Sequence, residues 1–363
     1  LSLPGFDELA QRRLANARVL VIGAGGLGSA TVPYLASAGI GTIGIIDTDV
    51  VELSNLHRQI VHGVADIGRS KLDSIIDAVA AIDPTTTVIP HREHLDSSNI
   101  LGILADYDIL LDGSDNFPTR YLANDAAVLA GKPLVWGAIL RYSGQVSVAW
   151  AEHGPTYRDL FPVPPPPGSV PSCAEGGVLP SVCAVVGALM NAETIKIITG
   201  IGTPLLGTVT TYDALSGRFR ELPYGRSDEV APVTELIDYE VFCGVKQPPV
   251  SVTAAEPVRD SLEPEELARL LASGGELQVV DVREPFERAI ALIEPSDFLP
   301  LASLKDHLDA IRRDVPVVLY CHSGVRSAHA LRLLRDAGFD NVSHLSGGID
   351  RYSVTVAPTL VRY

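Results

Sequence analysis

Residues 18–59 read RVLVIGAGGLGSATVPYLASAGIGTIGIIDTDVVELSNLHRQ, and the fold is decided there. The apolar run Arg18 to Ile22 predicts a strand, the glycines Gly23, Gly25, Gly26 and Gly28 predict a tight turn, and a helix is expected to begin at Leu27 to Ser29. Glycine lets a backbone approach a ligand closely, and the unpaired N–H groups of a helix start lie at the positive end of its dipole. A second apolar strand, Thr42 to Ile46, ends at Asp47, where a carboxylate can meet a ribose hydroxyl. A bound nucleotide is therefore expected. The spacing Gly23-x-Gly25-x-x-Gly28 with a strand-end acid also fits a dinucleotide, and on those residues alone an NAD-dependent oxidoreductase is the better reading. Past Asp49, however, the polar cluster Glu52 to Gln59, with Asn55 and Arg58 inside it, stands where a plain Rossmann unit would turn into its next helix. Such a cluster suits a triphosphate better than a nicotinamide.

Strand and helix signals continue to alternate downstream. A helix is predicted from Arg69-Ser70-Lys71 to Ile82, stopped by Asp83-Pro84. Lys71 in its first turn opposes the helix dipole, a poor choice for stability and a good one for holding phosphate; a solvated surface lysine is the equal alternative. The strand Tyr107 to Leu111 leads into Asp112-Gly113-Ser114-Asp115-Asn116, on the ligand side of an open parallel sheet. Asp115 is accordingly a candidate Mg²⁺ ligand, since Mg²⁺ takes one or two carboxylates plus phosphate oxygens. From Arg141 the pattern changes: Gly144 to Trp150 alternates like an antiparallel strand, and Glu152 to Leu179 shows no periodicity. That long segment carries Cys173 beside Gly176-Gly177, a thiol expected to be exposed and reactive, whereas Cys183 in the apolar helix Pro180 to Thr199 reads as core. Strands at Gly207 to Tyr212 and Arg218 to Leu222 close a first domain, residues 1–222.

Residues 223–259 are rich in Pro, Glu and Asp and read as a linker, although Thr234 to Gly244 has the bulk to dock on a surface. A second α/β domain, residues 260–363, delivers Cys321 from the strand Pro316 to Tyr320 into the loop Cys321-His322-Ser323-Gly324-Val325-Arg326, ahead of a helix Ser327 to Ala337. Backbone N–H groups, a helix start and Arg326 are expected to surround the sulfur, lower its pKa and stabilise an anion on it.

Composition bounds these readings. A chain of 363 residues favours two domains, and 46% apolar with 6% aromatic residues supplies the aliphatic core of α/β layers. A formal charge of −16 repels nucleic acid and anionic lipid, so neither is an expected partner. The four cysteines form no CxxC pattern, and neither a signal peptide nor an apolar run of membrane-spanning length is expected; a reducing cytoplasm is the default.

Over roughly residues 2–222 the chain resembles the MoeB/ThiF adenylyltransferases, through GAGGLGS (23–29), IIDTDVVELSNLHRQ (45–59), GRSK (68–71), DGSDNFPTRY (112–121) and SCAEGG (172–177). The resemblance implies a Rossmann-like domain with a mixed sheet. It also implies ATP- and Mg²⁺-dependent adenylation of the C-terminal Gly-Gly carboxylate of a ubiquitin-like sulfur carrier, MoaD-, ThiS- or CysO-like, and decides against NAD. By the same resemblance Gly28 and Asp47 contact the nucleotide, with Gly23, Gly25, Gly26, Asp49, Gln59 and Asn116 in the same site. Asn55, Arg58 and Lys71 hold the phosphates, and Asp115 binds Mg²⁺. The second domain resembles single-domain rhodaneses through Asp281-Val282-Arg283-Glu284-Pro285, the Cys321 to Arg326 loop and Ser346-Gly347-Gly348-Ile349. In that family the cysteine carries a persulfide, loaded by thiosulfate or a cysteine desulfurase. Four residues between Cys321 and Arg326 is the sulfurtransferase length; the related Cdc25-type phosphatases have one more.

The fusion is similar to MoeZ-type proteins, and TELIDYEVFCG (234–244) extends the match through the linker. This implies a homodimer, and a transient acyl or disulfide link from Cys173 to the carrier. Three departures stand out. Many relatives hold zinc with two CxxC pairs, but here the positions read Thr156-Tyr157-Arg158-Asp159 and Glu240-Val241-Phe242-Cys243, so no zinc is expected. A family arginine that reaches the partner's site would fall upstream of Leu1, and Ile290 to Leu301 lacks the usual Pro-Gly-Ala. A carrier-binding module without catalysis is the alternative, opposed by the intact Arg58, Lys71, Asp115 and Cys321.

Overall fold

In the computed structural model, which describes residues 3–166, 170, 176–245, 260–274 and 276–362, the aliphatic runs become two separate sheets. The chain divides into the units Leu1–Pro248 and Pro249–Tyr363. The strands of the first unit are β1 (Arg18–Ile22), β2 (Thr42–Ile46), β3 (Thr87–His91), β4 (Ile109–Asp112), β5 (Leu134–Leu140), β6 (Ser143–Ala149), β7 (Thr208–Asp213) and β8 (Arg218–Pro223). They lie in the order β3-β2-β1-β4-β5-β6-β7-β8. Pairing is parallel from β3 across to β5 and antiparallel from β5 to β8.

β1 runs between β2 and β4 and is buried from Val19 to Ile22, as its unbroken aliphatic sequence requires of a strand covered on both faces. The connection out of β1 goes to one side and β4 lies on the other, so a crevice opens beyond the carboxyl ends of these strands. Pro90 falls within β3, which it can occupy because β3 is the edge of the sheet and no neighbour needs its missing N–H.

The helix Pro180–Thr199 packs on the helix Gly26–Ser37 and on β5 and β6. Close approach is possible because residue 187 is glycine: a Cβ there would stand 2.6 Å from the Ala30 Cβ. Contrary to the sequence expectation, this helix is long and apolar enough to cross a membrane. Its composition has another cause here, since Val182, Val186 and Met190 fill the sheet core and Asn191, Glu193 and Thr194 are buried too.

Residues 224–245, assigned to the linker by composition, pack on the first unit. The Ser227 N–H donates to Asp159 at 2.9 Å, and the short helix Tyr239–Phe242 sends the Tyr239 hydroxyl to Asp125 at 2.6 Å. The segment is polar because one side faces water, while Tyr239 and Cys243 enter the core with Tyr121 and Trp136.

In the second unit β9 (Ser261–Leu262), β10 (Gln278–Asp281), β11 (Asp297–Phe298), β12 (Val317–Tyr320) and β13 (Val342–Leu345) form an all-parallel sheet in the order β11-β10-β12-β13-β9. At its centre β12 delivers Cys321, and beside it Asp281 and Arg283 make a fully buried ion pair of 2.7 Å, to which the Tyr320 hydroxyl adds a hydrogen bond of 2.9 Å. The Asp-Val-Arg motif is thus a scaffold for the strand that carries the sulfur.

Candidate active site

The glycine turn is held from three sides. Gly23 adopts φ +90°, and its N–H donates to the Ile46 carbonyl at 2.9 Å. Asp47, at the end of β2, accepts from the Ala24 N–H and, with its other oxygen, from the Asp49 N–H, both at 2.8 Å. His62 bridges the Ala24 carbonyl at 3.0 Å and the Ser74 hydroxyl at 2.8 Å, and burial pushes its pKa down. The helix Gly26–Ser37 begins here with Gly25 as its N-cap, a residue that brings no capping side chain. Its first N–H groups therefore face the crevice ready for an anion.

The crevice is a cleft of about 300 Å³ lined by Gly23, Gly25, Gly26, Asp47, Asp49, Asn55, Arg58, Gln59, Lys71, Asp115 and Asn116, together with Glu93 and His94. Among the described residues, the structure thus brings all but one of the candidate nucleotide-site residues of the first unit to this cleft. The exception is Gly28, which does not line the cleft. A Cβ on Gly28 would come 3.0 Å from the Gly23 carbonyl carbon and collide with its oxygen. The absence of a side chain there seats the helix on the turn. Gly25, by contrast, faces open cleft, with nothing nearer than the Gln59 amide nitrogen at 3.7 Å from a would-be Cβ.

Several side chains have partners of their own. Lys71 is 7% exposed and ion-paired to Asp49 at 2.7 Å, so it is no solvated surface lysine. Asn55 accepts from the Glu52 N–H at 3.2 Å, and the Arg58 guanidinium donates to the Ser54 carbonyl at 3.3 Å. Asn116 caps the helix Phe117–Ala130 through the Thr119 N–H at 2.9 Å. Among the described residues the buried Gln59 side-chain oxygen has no hydrogen-bond partner, an arrangement that asks for a further donor.

Sequence reasoning missed the frame of the Asp115 loop. Asp112 is buried, and desolvation pushes its carboxyl up; Arg120 at 3.8 Å and the Ser114 hydroxyl at 2.6 Å oppose that shift. Arg120 also donates to the Ser114 carbonyl at 2.6 Å and the Gly137 carbonyl at 2.8 Å. Asp115 itself remains exposed. An aspartate and an arginine eight residues apart carried no local signal, because the helix Phe117–Ala130 turns the arginine back only in three dimensions.

The second unit holds Cys321 at 0% exposure, its sulfur accepting from the Gly324 N–H at 3.1 Å with the Ser327 hydroxyl at 3.6 Å. The helix begins at Val325, two residues earlier than predicted, with Gly324 in the left-handed region at φ +95°. Arg326 is consequently in the first helical turn rather than in the loop. Its guanidinium binds Glu287 through two bonds of 2.6 and 2.7 Å. The Ser346-Gly347-Gly348-Ile349 motif closes the loop from beneath: the Ile349 N–H donates to the Cys321 carbonyl at 2.8 Å and the Asp350 N–H to the His322 carbonyl at 3.0 Å. Only glycine fits at 348, where φ is +59° and a Cβ would overlap both carbonyl oxygens.

Cys173 lies outside the described residues. Thr156–Asp159 and Glu240–Cys243 do not suit zinc. Arg158 pairs with Asp125 at 2.7 Å and stacks over Phe242 at 4.8 Å, and burial pushes the Cys243 thiol up to about 11.

Comparison with known proteins places residues 1–233 in a match to the ThiF family and residues 263–355 in a match to the rhodanese-like domain. The chain is 50% identical to the probable adenylyltransferase/sulfurtransferase MoeZ of Mycobacterium tuberculosis, covering 100% of this chain and 93% of that protein. It is 49% identical to the sulfur carrier protein adenylyltransferase of Thermus thermophilus over 67% of this chain and 94% of that protein. Among solved structures, Escherichia coli MccB with ATP aligns at a TM-score of 0.55 and 23% identity, over 61% of this chain and 68% of MccB, a likeness of fold.

Proposed function

Because the chain belongs to the ThiF family and carries a rhodanese-like domain behind it, we propose that it adenylates the C-terminal glycine of a ubiquitin-like sulfur carrier with ATP. A persulfide on Cys321 then converts the activated carboxylate to a thiocarboxylate. The single observation that carries this is the cleft itself: the uncapped helix start, Asn55, Arg58, Lys71 and Asp115 converge on one crevice. Identity of 50% with an adenylyltransferase/sulfurtransferase across the whole chain supports it.

Attack of a carboxylate on the α-phosphorus needs positioned cations and oriented N–H groups rather than a protein nucleophile. The helix start and Gly25 would accept the phosphates at close range, and Arg58 would oppose their charge. Lys71 would share its ammonium between Asp49 and a phosphate. The Gln59 oxygen would gain the donor it lacks from a nucleotide hydroxyl or amine. Asp115, an exposed carboxylate on the cleft wall, fits a Mg²⁺ that arrives with the phosphates; such an ion neutralises phosphate charge when bound.

Adenylation turns the carboxylate oxygen into part of a good leaving group, AMP. The outer sulfur of the Cys321 persulfide attacks the carbonyl carbon, AMP departs, and an acyl disulfide results. A second thiol then breaks its S–S bond, releasing the thiocarboxylate and forming a disulfide with Cys321. Cys173 is proposed to take part through a transient acyl or disulfide link to the carrier. A homodimer in the cytoplasm is part of the proposal, and light scattering on the purified chain tests its first half.

Exchange of labelled pyrophosphate into ATP, dependent on a carrier ending in Gly-Gly, is the direct test. Exchange should vanish in Asp115→Ala, and its survival there would sink the Mg²⁺ assignment. Intact mass of the carrier should show oxygen-to-sulfur gain with wild type and none with Cys321→Ala; sulfur gain with the variant would overturn the persulfide role.

A further inference from the structure

Two pieces of the first-unit cleft must keep a fixed spacing if both are to hold one triphosphate: the glycine turn and Lys71. A closed circuit of hydrogen bonds ties them together. The Ala24 N–H, in the turn, donates to one oxygen of Asp47, whose other oxygen accepts from the Asp49 N–H, both at 2.8 Å. Asp49 in turn takes the Lys71 ammonium on its carboxylate at 2.7 Å and the Lys71 backbone N–H on its carbonyl at 3.0 Å. Ser74 lies on the helix Lys71–Ile82 one turn past Lys71, and its hydroxyl meets His62 Nδ1 at 2.8 Å. His62 Nε2, 3.0 Å from the Ala24 carbonyl, returns the circuit to the turn. Ala24, Ser74 and His62 are buried behind the cleft wall, outside its lining.

These bonds assign the protons on the imidazole. The Ala24 carbonyl can only accept, so Nε2 carries a hydrogen. Burial lowers the pKa of the ring, and Lys71 adds to the lowering, against the pull of the Ala24 bond and of Asp66 and Asp47. The ring is therefore neutral near pH 7, and Nδ1 accepts from the Ser74 hydroxyl. The backbone beside it is seated on the helix Gly26–Ser37, where the Val61 N–H donates to the Ser29 hydroxyl at 2.9 Å. Without His62 the circuit would join the turn to the lysine through Asp47 and Asp49 alone. We propose, on the basis of the adenylation reading above, that His62 is a positioning residue for the nucleotide: it holds the glycine turn and Lys71 at the one spacing at which helix start and ammonium engage the same phosphate chain. Either half by itself can still take up ATP, but in-line attack needs both in register. Loss of the link therefore falls on kcat rather than on KM.

The test is carrier-dependent exchange of labelled pyrophosphate into ATP by the full chain, with kcat and the KM for ATP measured separately and folding checked by thermal melting. His62→Phe keeps the bulk of the ring and loses both bonds, whereas Ser74→Ala opens the circuit at one bond with little change of shape. Each should lower kcat by about ten- to a hundred-fold, the cost of misplacing a bound group by up to an ångström, and leave KM for ATP nearly unchanged. Because both break the same circuit, the double variant should be no slower than the slower single one, whereas independent packing effects would multiply. Nitrogen-15 NMR of the wild-type His62 imidazole should show a hydrogen on Nε2 and none on Nδ1 at pH 7, a measurement that needs no variant. The proposal is overturned if folded His62→Phe or folded Ser74→Ala exchanges at the wild-type rate, if the loss appears in KM alone, if the two substitutions multiply, or if Nδ1 carries a hydrogen. Absence of exchange by wild type would instead overturn the adenylation reading itself.

Discussion

Replacing Gly28 by alanine separates the role of packing from the role of ligand contact. The added Cβ would stand 3.0 Å from the Gly23 carbonyl carbon, and closer still to its oxygen. Non-bonded carbons settle at about 3.5–4.0 Å, so the carbonyl carbon alone asks the helix Gly26–Ser37 to withdraw by roughly 0.5–1 Å and the nearer oxygen asks for more, unless the turn flattens. Both obstacles are backbone atoms, and Gly23 is pinned by its bond to Ile46 and by its φ of +90°. Overpacking of this kind costs about 1–3 kcal/mol, and displacing the helix start by that distance should lower the chemical rate by roughly 10²-fold. Carrier-dependent pyrophosphate exchange is the assay, run beside a denaturant melt and beside sulfur loading of Cys321, which should not change. Gly25→Ala is the counterpart, because its Cβ meets nothing within 3.7 Å and points into the cleft. It should keep the melting curve of wild type and still lose nucleotide affinity. Exchange by Gly28→Ala within twofold of wild type, at unaltered stability, would refute the steric argument.

Arg120→Ala should destabilise the first unit by about 3–5 kcal/mol in urea titrations, the usual cost of leaving one member of a buried pair alone. In that variant Asp112, at 1% exposure, keeps only Ser114 as a partner. Gly348→Ala combines a left-handed backbone with overlap of two carbonyls. It should cost the second unit about 2–5 kcal/mol, read by thermal melting and by faster alkylation of Cys321, with exchange at the first site preserved. The Glu287 carboxyl is held below its ordinary value of 4.5 by Arg326. Its stabilising contribution is therefore complete above that value and lost as pH falls through the lowered one. The melting temperature of wild type should drop more steeply than that of Glu287→Gln between about pH 5 and 3, and parallel curves would contradict the ionised pair.

Some of the two centres was legible in the chain and some was not. The glycine turn, Asp47 and the Asp115 loop were readable because glycine spacing and strand-end polarity act over a few residues, and they do line one cleft. Gly28 was read as a nucleotide contact, and the structure shows that it seats the helix on the turn, since one spacing serves both a ligand and the fit of helix on strand. Arg326 was misplaced for a related reason: Gly324 ends the loop early by entering the left-handed region, and the arginine is carried onto the helix. The helix Pro180–Thr199 was legible as an apolar helix with Cys183 in the core, and the structure places it so; its membrane-spanning length went unremarked, because burial in a core and burial in lipid select the same apolar residues.

The sequence by itself determined the alternation of strand and helix, the glycine turn after β1 and the cysteine loop after β12. These rest on backbone sterics and side-chain periodicity, which are local. Only the tertiary structure decided which charge meets which. Lys71 found Asp49 across 22 residues, Arg326 found Glu287 across 39, and Tyr239 found Asp125 across 114. Choices of that kind follow from the burial of distant segments against one another, where a desolvated charge must take whatever partner the packing brings within reach.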